Sequence, residues 1–372
     1  MMDLASITRP TLLLDERVCR ANIAFMRDRA AEAGVRFRPH MKTAQSRLIG
    51  RWFREAGVSG ITVSSVGMAR YFADDGWDDI TIAFPFNLRE SDALDAFAAE
   101  VQLHLLIEST ETANVLGGTV RRDVNVWIKL DSGYGRTGIP HDDDAALDAV
   151  ISAIRHFPRL HLRGLLTHAG MTYTAGNADE VRVLFEQSRA RLVGAAQRHG
   201  NLLCSAGDTP GCTLAASFEG LAEIRPGNMT FYDLMQAKRG VCGIHDIAVA
   251  AACPVVAVHE KRGEAVLYGG AVYLSKESIP GDDGYPIYGL LCELTPEGWS
   301  EPIDGGWLCG MSQEHGIARL PAPILHRLKP GDLLAVLPVH SCLTADAFGG
   351  YLNLDGERVD HYAAHIHFPH VI

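Results

Sequence analysis

The chain has 372 residues, of which 47% are hydrophobic and 21% are charged, and its formal net charge is −11. This composition is typical of a globular protein, and the dispersed basic residues argue against a nucleic-acid partner. No apolar run approaches the roughly 20 residues that span a bilayer, and the N-terminus lacks a basic segment followed by an apolar one. We therefore expect a cytoplasmic protein that acts on a small molecule, with no membrane partner and with its eight cysteines reduced.

Eight short apolar, β-rich runs recur along the first two-thirds of the chain. Stretches with helical spacing separate most of them, at 15–33, 90–99, 142–157 and 177–199. The segment at 213–217, after the seventh run, is short for a helix. Repeated alternation of strand and helix predicts an α/β fold, a (β/α)8 TIM-type barrel. The runs lie near residue 35 and at 61–63, 80–84, 103–107, 124–130, 160–166, 202–204 and 223–224.

The pattern changes at about residue 241 to alternating or continuous β-type runs, at 247–252, 255–259, 265–268, 271–274 and 333–337. No long helix-periodic segment follows, which predicts a β-rich C-terminal domain with a loop at 281–284. We expect the run 11–14 to add a strand to this domain. The predicted divisions are an N-terminal segment at 1–20 that joins the β domain, a barrel at 21–240, and the β-rich domain at 241–372.

Unusual residues follow the predicted barrel strands, and parallel barrels perform their chemistry at that face. Lys42 follows the first strand, and glycine-rich turns follow the seventh and eighth. Glycine lets backbone N–H groups approach an anion such as phosphate. A lysine together with a phosphate-binding turn suggests pyridoxal phosphate. The polar segments after the fifth to eighth strands are 131–138, 167–170, 205–210 and 225–228.

Several of these residues are candidate contacts of the cofactor. Arg136 would place a fixed positive charge where it could hydrogen-bond the phenolic oxygen, although its segment could be no more than a tight turn. His168 could stack on the cofactor ring, or it could be an ordinary core histidine. The predicted phosphate site consists of Gly207, Asp208, Thr209, Gly227 and Asn228, with Tyr232 nearby.

A histidine and a cysteine in the second domain form a candidate metal site. His340 and Cys342 lie two apart in a predicted extended segment, so their side chains would point to the same side. One divalent ion could take both ligands, with water or substrate completing its shell. Thiolate favours zinc, although manganese or magnesium could serve with more water ligands. The segment 312–316 either lines a site or forms a solvated turn.

As an ordered set, these motifs resemble the fold-type III pyridoxal-phosphate enzymes related to alanine racemase, and within them the D-threonine aldolase and D-serine dehydratase group. The resemblance covers nearly the whole chain. It implies that Lys42 is the catalytic residue that holds the cofactor as a Schiff base, and that Arg136 and His168 contact its ring. It also implies that the glycine turns hold the phosphate, and that His340 and Cys342 bind the metal. The motifs are 38–43, 131–138, 207–210, 223–233, 312–316 and 340–342.

Two positions depart from the pattern of this family. Relatives often carry a histidine soon after the Lys-Thr pair and another after the His-Ala-Gly turn, where this chain has Ala44 and Met171. A proton-transfer role of either histidine would be vacant or reassigned here. The general base is therefore left unassigned.

The resemblance implies a homodimeric lyase that uses pyridoxal phosphate and a divalent metal on D-β-hydroxy amino acids. We expect first a D-threonine aldolase type of reaction, which gives glycine and an aldehyde. The alternative is a D-serine or D-3-hydroxyaspartate dehydratase, which gives an oxo acid and ammonia. A racemase would leave the metal pair without a task. A non-catalytic pyridoxal-phosphate-binding protein and a metallohydrolase without this cofactor remain as readings of other classes.

Overall fold

The computed structural model of the chain describes residues 2–282 and 284–362. It divides into two units, which are described separately. The barrel unit comprises Ala24–Lys42 and Ile49–Met229, and the β unit comprises 2–23, Thr43–Leu48 and 230–362. Among the described residues, none of the helices combines the length and the apolar character needed to cross a bilayer.

Eight parallel strands build the barrel unit, and from the second onward each pairs with the next of the eight. The eighth strand also pairs with the first, and a parallel bridge between His40 and Thr62 joins the first to the second. This arrangement confirms the predicted (β/α)8 architecture. The strands span Arg36–Phe37, Ile61–Val63, Asp79–Pro85, Gln102–Ile107, Val124–Asp131, Leu160–Leu166, Leu203–Ala206 and Glu223–Ile224, and the short strand Ile139–Pro140 pairs with the fifth.

Helices alternate with these strands, and capping side chains fix where several of them begin. Ser109 accepts a hydrogen bond from the amide of Thr112, and Asn177 accepts one from Glu180. The helices are Glu16–Glu32, Arg47–Glu55, Val66–Ala73, Leu94–Ala98, Thr110–Thr119, Asp144–His156, Ala178–Arg198 and Thr209–Leu214, with 3-10 turns at Leu88–Ala93, Gly170–Thr174 and Asn228–Thr230.

The helix after the seventh strand begins earlier than the segment 213–217 that the sequence pattern singled out. Asp208 caps it, because its carboxylate accepts a hydrogen bond from the amide of Gly211. Pro210 lies in its first turn, where a missing N–H costs nothing. The helix start is therefore placed directly behind one of the two predicted phosphate turns.

A cluster of buried charges lies among the barrel strands. The guanidinium of Arg38 contacts Asp79 at 2.5 Å and Glu223 at 2.9 Å. Trp127 Nε1 donates to His104 Nδ1 at 3.2 Å, so the other ring nitrogen of His104 faces Asp79, also at 3.2 Å. Burial by itself would raise the pKa of Asp79, but hydrogen bonds from His104 and Arg38 hold it well below its usual range. The cluster therefore joins the first, third, fourth, fifth and eighth strands through ion pairs and hydrogen bonds.

Replacing Arg38 by alanine is predicted to destabilise the protein strongly. The carboxylates of Asp79 and Glu223 would stay buried without their shared counter-charge, which typically costs about 3–5 kcal/mol. The free energy of unfolding, measured by denaturant titration, checks this. Arg182→Ala is the matched control, because Arg182 pairs with Asp179, both side chains are exposed, and such pairs contribute about 0–1 kcal/mol. Equal losses in the two variants would contradict the prediction.

Six antiparallel strands close into a second barrel in the β unit. Each strand pairs with its neighbour, and the pairing of the first strand with the second completes the ring. Around the barrel the strands are Val249–His259, Glu264–Tyr268, His315–Arg319, Gly298–Met311, Gly289–Thr295 and Leu333–Pro338. Thr11–Leu14 pairs antiparallel with the first of these and parallel with Tyr351–Asn353, which in turn pairs with Arg358–Val359.

One β-type run of this unit is not a strand. The sequence predicted β structure at 271–274, but Ala271–Leu274 is a short helix. Its first amides donate to the carbonyls of Ser312 and Gln313 rather than to a strand partner. The predicted loop at 281–284 lies between the short strands Ile279–Pro280 and Pro286–Ile287, and its residue 283 lies outside the described residues. The other helices are Leu234–Lys238, Ala322–Leu325 and Ser341–Phe348, with 3-10 turns at Leu4–Ser6, Ile244–Asp246 and Glu260–Arg262.

Candidate active site

Lys42 lies in a turn just beyond the first barrel strand, and its side chain is exposed. The backbone before it is held in place, because the amide of Met41 donates to the carbonyl of Thr62 at 2.8 Å. Desolvation is the main cause that lowers the pKa of His40 and of His168, and the charge of Lys42 lowers both further. The lysine predicted from sequence therefore stands within electrostatic reach of two histidines at the same end of the barrel.

His168 is neutral and has a defined orientation. Its Nδ1 lies 2.6 Å from the carbonyl oxygen of Gly207, and a carbonyl can only accept, so Nδ1 carries the hydrogen. Burial, with smaller effects from Lys42 and Arg136, lowers the pKa of His168 to about 3. The rings of Tyr134 and Tyr173 each lie 5.9 Å from the imidazole, centroid to centroid. The structure thus places an uncharged aromatic group where the sequence predicted a stacking residue.

Arg136 is exposed, and its guanidinium carbon lies 5.2 Å from the centroid of the Tyr134 ring. Its charge also acts on Lys129, a buried residue near the end of the fifth strand. Burial and then the charge of Arg225 lower the pKa of Lys129 to about 8. Arg136 therefore acts electrostatically together with Lys129 and Arg225, two cations to which the sequence analysis assigned no role.

Arg225 is the main site residue to which sequence reasoning gave no role. It is buried, and it donates from Nε to Ser205 Oγ at 2.7 Å and from Nη2 to the carbonyl of Thr167 at 2.5 Å. Ser205 Oγ donates in turn to Glu223 at 2.7 Å. Burial lowers the pKa of Arg225 to about 10, so it stays charged at neutral pH. The sequence did contain a signal for this residue, because Arg225 is a basic residue that directly follows the buried eighth strand within the motif 223–233.

The two glycine turns lie against each other. The amide of Met229 donates to Thr209 Oγ1 at 3.1 Å, which links the turn at 207–209 to the one at 227–229. A Cβ on Gly207 would lie 2.8 Å from Cβ of Arg225 and 2.9 Å from its carbonyl carbon, so only glycine fits there. Asn228 is buried at the start of a 3-10 turn. The predicted phosphate turns are thus adjacent and closely packed.

Asp208 and Thr209 have structural partners within these turns. Asp208 Oδ1 accepts from the amide of Gly211 at 2.5 Å and from Thr172 Oγ1 at 2.8 Å. Burial raises the pKa of Asp208 to about 7. The amide of Thr209 donates to the hydroxyl of Tyr173 at 3.1 Å. Both residues therefore shape the turn, and any part they play in binding phosphate stays a prediction.

The predicted metal ligands lie in the β unit, in a different local structure from the one expected. His340 has extended backbone, but Cys342 belongs to the helix Ser341–Phe348, so the pair does not form an extended segment. The amide of Ser341 donates to Asp233 Oδ2 at 3.0 Å, which stabilises this helix start. Tyr232, predicted beside the phosphate, also lies in the β unit, with left-handed backbone at φ 49°.

The side chains of His340 and Cys342 nevertheless meet through a hydrogen bond. Burial would raise the pKa of Cys342, but this hydrogen bond and the imidazolium charge lower it. Burial would lower the pKa of His340, whereas the contacts with Cys342 raise it to about 10. Thr43 Oγ1 lies 3.2 Å from Cys342 Sγ, and Glu277 Oε2 lies 2.5 Å from His340 Nδ1.

Both donor sets fit the groups that the sequence implied. In the barrel unit, Lys42, Lys129, Arg136 and Arg225 act on one another or on neutral histidines, and an anionic phosphate and phenolate would offset this repulsion. In the β unit, imidazole and thiolate are the ligands that zinc prefers. No group of three or more His, Cys, Asp or Glu side chains that could hold a metal occurs in 2–282 or 284–362. The described residues thus offer two donors to the proposed metal, the imidazole of His340 and the thiolate of Cys342.

The two positions that depart from the family pattern hold no proton-transfer group. Ala44 is buried, and its carbonyl accepts from the hydroxyl of Tyr351 at 2.6 Å. Met171 is half-buried in the 3-10 turn Gly170–Thr174. A base in this protein must therefore come from other residues.

Two family models match the chain: "Alanine racemase, N-terminal domain" over residues 14–234 and "Putative serine dehydratase domain" over residues 248–354. The chain therefore belongs to the fold-type III pyridoxal-phosphate enzymes, with an alanine racemase-type domain followed by a serine dehydratase-type domain.

Individual relatives agree with this membership. The D-threo-3-hydroxyaspartate dehydratase of Delftia sp. (strain HT23) is 32% identical, with 94% of each chain covered. The D-serine dehydratase of Dictyostelium discoideum is 26% identical over 98% of each chain, and the D-threonine aldolase of Arthrobacter sp. is 25% identical over 62% of each. The structure of the Delftia enzyme superposes with a TM-score of 0.88 at 30% identity, covering 97% of this chain and 99% of that one. A cysteine-to-alanine variant of that enzyme is known in a metal-free form.

Gly207→Ala is predicted to weaken the binding of pyridoxal phosphate and to destabilise the barrel. The new methyl group would displace the backbone of Arg225, and overpacking of this kind typically costs about 1–3 kcal/mol. Thermal unfolding and an absorbance titration with pyridoxal phosphate measure the two effects. Gly118→Ala is the control, because its added Cβ would meet no atom within 4 Å beyond its chain neighbours and the backbone of its own helix. Unchanged cofactor affinity in Gly207→Ala would show that the turn does not contribute to the cofactor site.

Proposed function

We propose that the protein is a pyridoxal-phosphate- and divalent-metal-dependent dehydratase of D-β-hydroxy amino acids, with D-3-hydroxyaspartate or D-serine as substrate. The observation that carries the proposal is the likeness to a D-threo-3-hydroxyaspartate dehydratase over 94% of both chains. The second family model, that of a serine dehydratase domain, includes both His340 and Cys342.

The comparisons favour this reaction over the aldol cleavage that was expected first. The D-threonine aldolase of Arthrobacter sp. is matched over only 62% of each chain. The D-threonine aldolase of Filomicrobium marinum shares the fold at 20% identity. Aldolase activity therefore becomes the second candidate, and it is separated from the first by its products.

Lys42 would hold pyridoxal phosphate covalently, and the cationic side chains would balance its negative charges. Arg136 is suited to the phenolic oxygen because it is exposed beside Tyr134, and neutral His168 can lie against an aromatic ring without adding charge. The paired glycine turns supply backbone close to the phosphate. When bound, the cofactor supplies an electron sink that acidifies the hydrogen on Cα of an amino acid.

Within the proposed reaction, Lys42 moves the proton at Cα. Its side chain is exposed just beyond the first barrel strand, and lysine side chains can serve as general bases in enzymes. Loss of the Cα proton and of the β-hydroxyl group releases water. Hydrolysis of the resulting free enamine then gives an oxo acid and ammonia.

The metal would be held by His340 and Cys342, and it would supply a Lewis acid that polarises the β-oxygen as a leaving group. The thiolate and imidazole suit zinc, and the metal-free form known for a variant of the Delftia enzyme supports a metal in that relative. Thr43 supports the site by its contact with the thiol of Cys342.

Product analysis tests the proposed reaction. The purified protein with pyridoxal phosphate and zinc is expected to release ammonia and an oxo acid from D-3-hydroxyaspartate or D-serine, and not from their L-isomers. Lys42→Ala should fold but lose the absorbance band of the lysine-bound cofactor, because covalent attachment would be absent. Its turnover should fall at least about 10³-fold, because proton transfer by Lys42 would be absent as well. Glycine and aldehyde as the main products from D-threonine would transfer the assignment to an aldolase.

Removal of the metal is predicted to abolish turnover without releasing the cofactor. The proposed metal donors and the proposed cofactor residues are different side chains, so chelation should leave the absorbance of bound pyridoxal phosphate unchanged. Zinc added back should restore the rate. Full activity in a sample shown by metal analysis to be metal-free would rule out the role of His340 and Cys342.

A further inference from the structure

The carboxylate of Glu277 is in direct contact with His340, the proposed metal-binding histidine. Its Oε2 lies 2.5 Å from Nδ1 of His340. Both side chains are partly exposed, at 42% for Glu277 and 28% for His340. A pair between two freely solvated side chains would contribute little, so the significance of this contact depends on what fixes each partner.

The backbone around Glu277 is held in an unusual conformation. Ser275, two residues earlier, has φ 66° and ψ 176°, a backbone conformation that residues other than glycine rarely adopt. The hydroxyl of Ser275 accepts a hydrogen bond from the amide of Glu277 at 3.3 Å. The segment therefore leaves the preceding helix, Ala271–Leu274, in a defined direction that carries Glu277 to the histidine.

His340 is fixed from its other side as well. The residue after it, Ser341, donates its amide to Asp233 at 3.0 Å, and its hydroxyl lies 3.3 Å from the same carboxylate oxygen. The backbone of His340 is thus set by the helix start, whereas rotation of its ring is not. The ring itself is held by its hydrogen bond with Cys342 and by Glu277, which is the contact at Nδ1.

We propose that Glu277 is a positioning residue that holds the His340 ring with its Nδ1 hydrogen toward the carboxylate, which leaves Nε2 as the ligand for the metal. A carboxylate that accepts from one ring nitrogen fixes the tautomer and makes the other nitrogen a better donor to a cation. This inference rests on the proposed function, because it requires that His340 bind a metal. Glu277 itself is not a ligand, since it faces the opposite nitrogen.

Metal affinity of the full-length protein, measured by competition with a chromogenic chelator for zinc, tests the proposal. Glu277→Ala is expected to weaken zinc binding about 10- to 100-fold, the usual effect of losing such a partner. Glu277→Gln should recover part of the affinity, because its amide oxygen can still accept from Nδ1. Lys276→Ala is the matched control, an exposed neighbour that should bind zinc as the natural chain does. Bound pyridoxal phosphate and the thermal unfolding curve show that each variant is folded.

The outcomes separate this inference from the proposed function. If the natural chain binds no stoichiometric zinc, both are overturned. If it binds zinc and His340→Ala does not, but Glu277→Ala binds as tightly as the natural chain, only the positioning role of Glu277 is overturned. Cobalt substitution provides the last arm: an unchanged visible spectrum in Glu277→Gln supports a residue behind the ligand, and a changed spectrum would identify Glu277 as a ligand and overturn the role proposed here.

Discussion

Burial of two arginines beside Glu223 is the interaction on which the barrel unit depends. Arg38 contacts this carboxylate directly, and Arg225 reaches it through the hydroxyl of Ser205. A buried guanidinium is tolerated only when carboxylates and hydrogen-bond acceptors replace its water. The same contacts that join strands distant in sequence therefore also fix the direction of Arg225 at the end of the barrel where Lys42 lies.

The proposed cofactor site follows from how charge is distributed around that end. Cations accumulate there, while desolvation first and repulsion from these cations second lower the pKa values of the half-buried His40 and His168. The site has an excess of positive charge, and it therefore favours a ligand with several negative groups. Pyridoxal phosphate, with a phosphate and a phenolic oxygen, meets that requirement and also needs the amine that Lys42 provides.

The approach of the two proposed metal ligands depends on local backbone geometry rather than on net charge. His340 and Cys342 meet because a helix begins between them, and Asp233 holds that helix start. Two side chains at such a corner approach each other without the strand alternation that the spacing suggested. The thiol contact with Thr43 adds a partner from a distant part of the sequence, immediately after Lys42 along the chain.

Local pattern was sufficient for the eight barrel strands and for the four long helical stretches, but it missed the strands Gly289–Thr295, Gly298–Met311 and His315–Arg319 of the β unit. Periodicity and capping act over a few residues, so the eight barrel strands could be predicted from the sequence. It was not sufficient at 271–274, where hydrogen bonds to Ser312 and Gln313 replaced strand pairing. The choice between dehydratase and aldolase also lay beyond pattern, because both reactions use the same kinds of residue.

The sequence by itself determined the alternation of strands and helices, the lysine at a strand end and the His-Cys pair, because each is written in adjacent residues. Only the tertiary structure decided the partners of Arg225, the low pKa of Lys129 and the contact between Glu277 and His340. Glu277 and His340 are 63 residues apart, and nothing local to either signals the other. Burial and hydrogen bonding are properties of neighbours in space, and those neighbours exist only once the chain has folded.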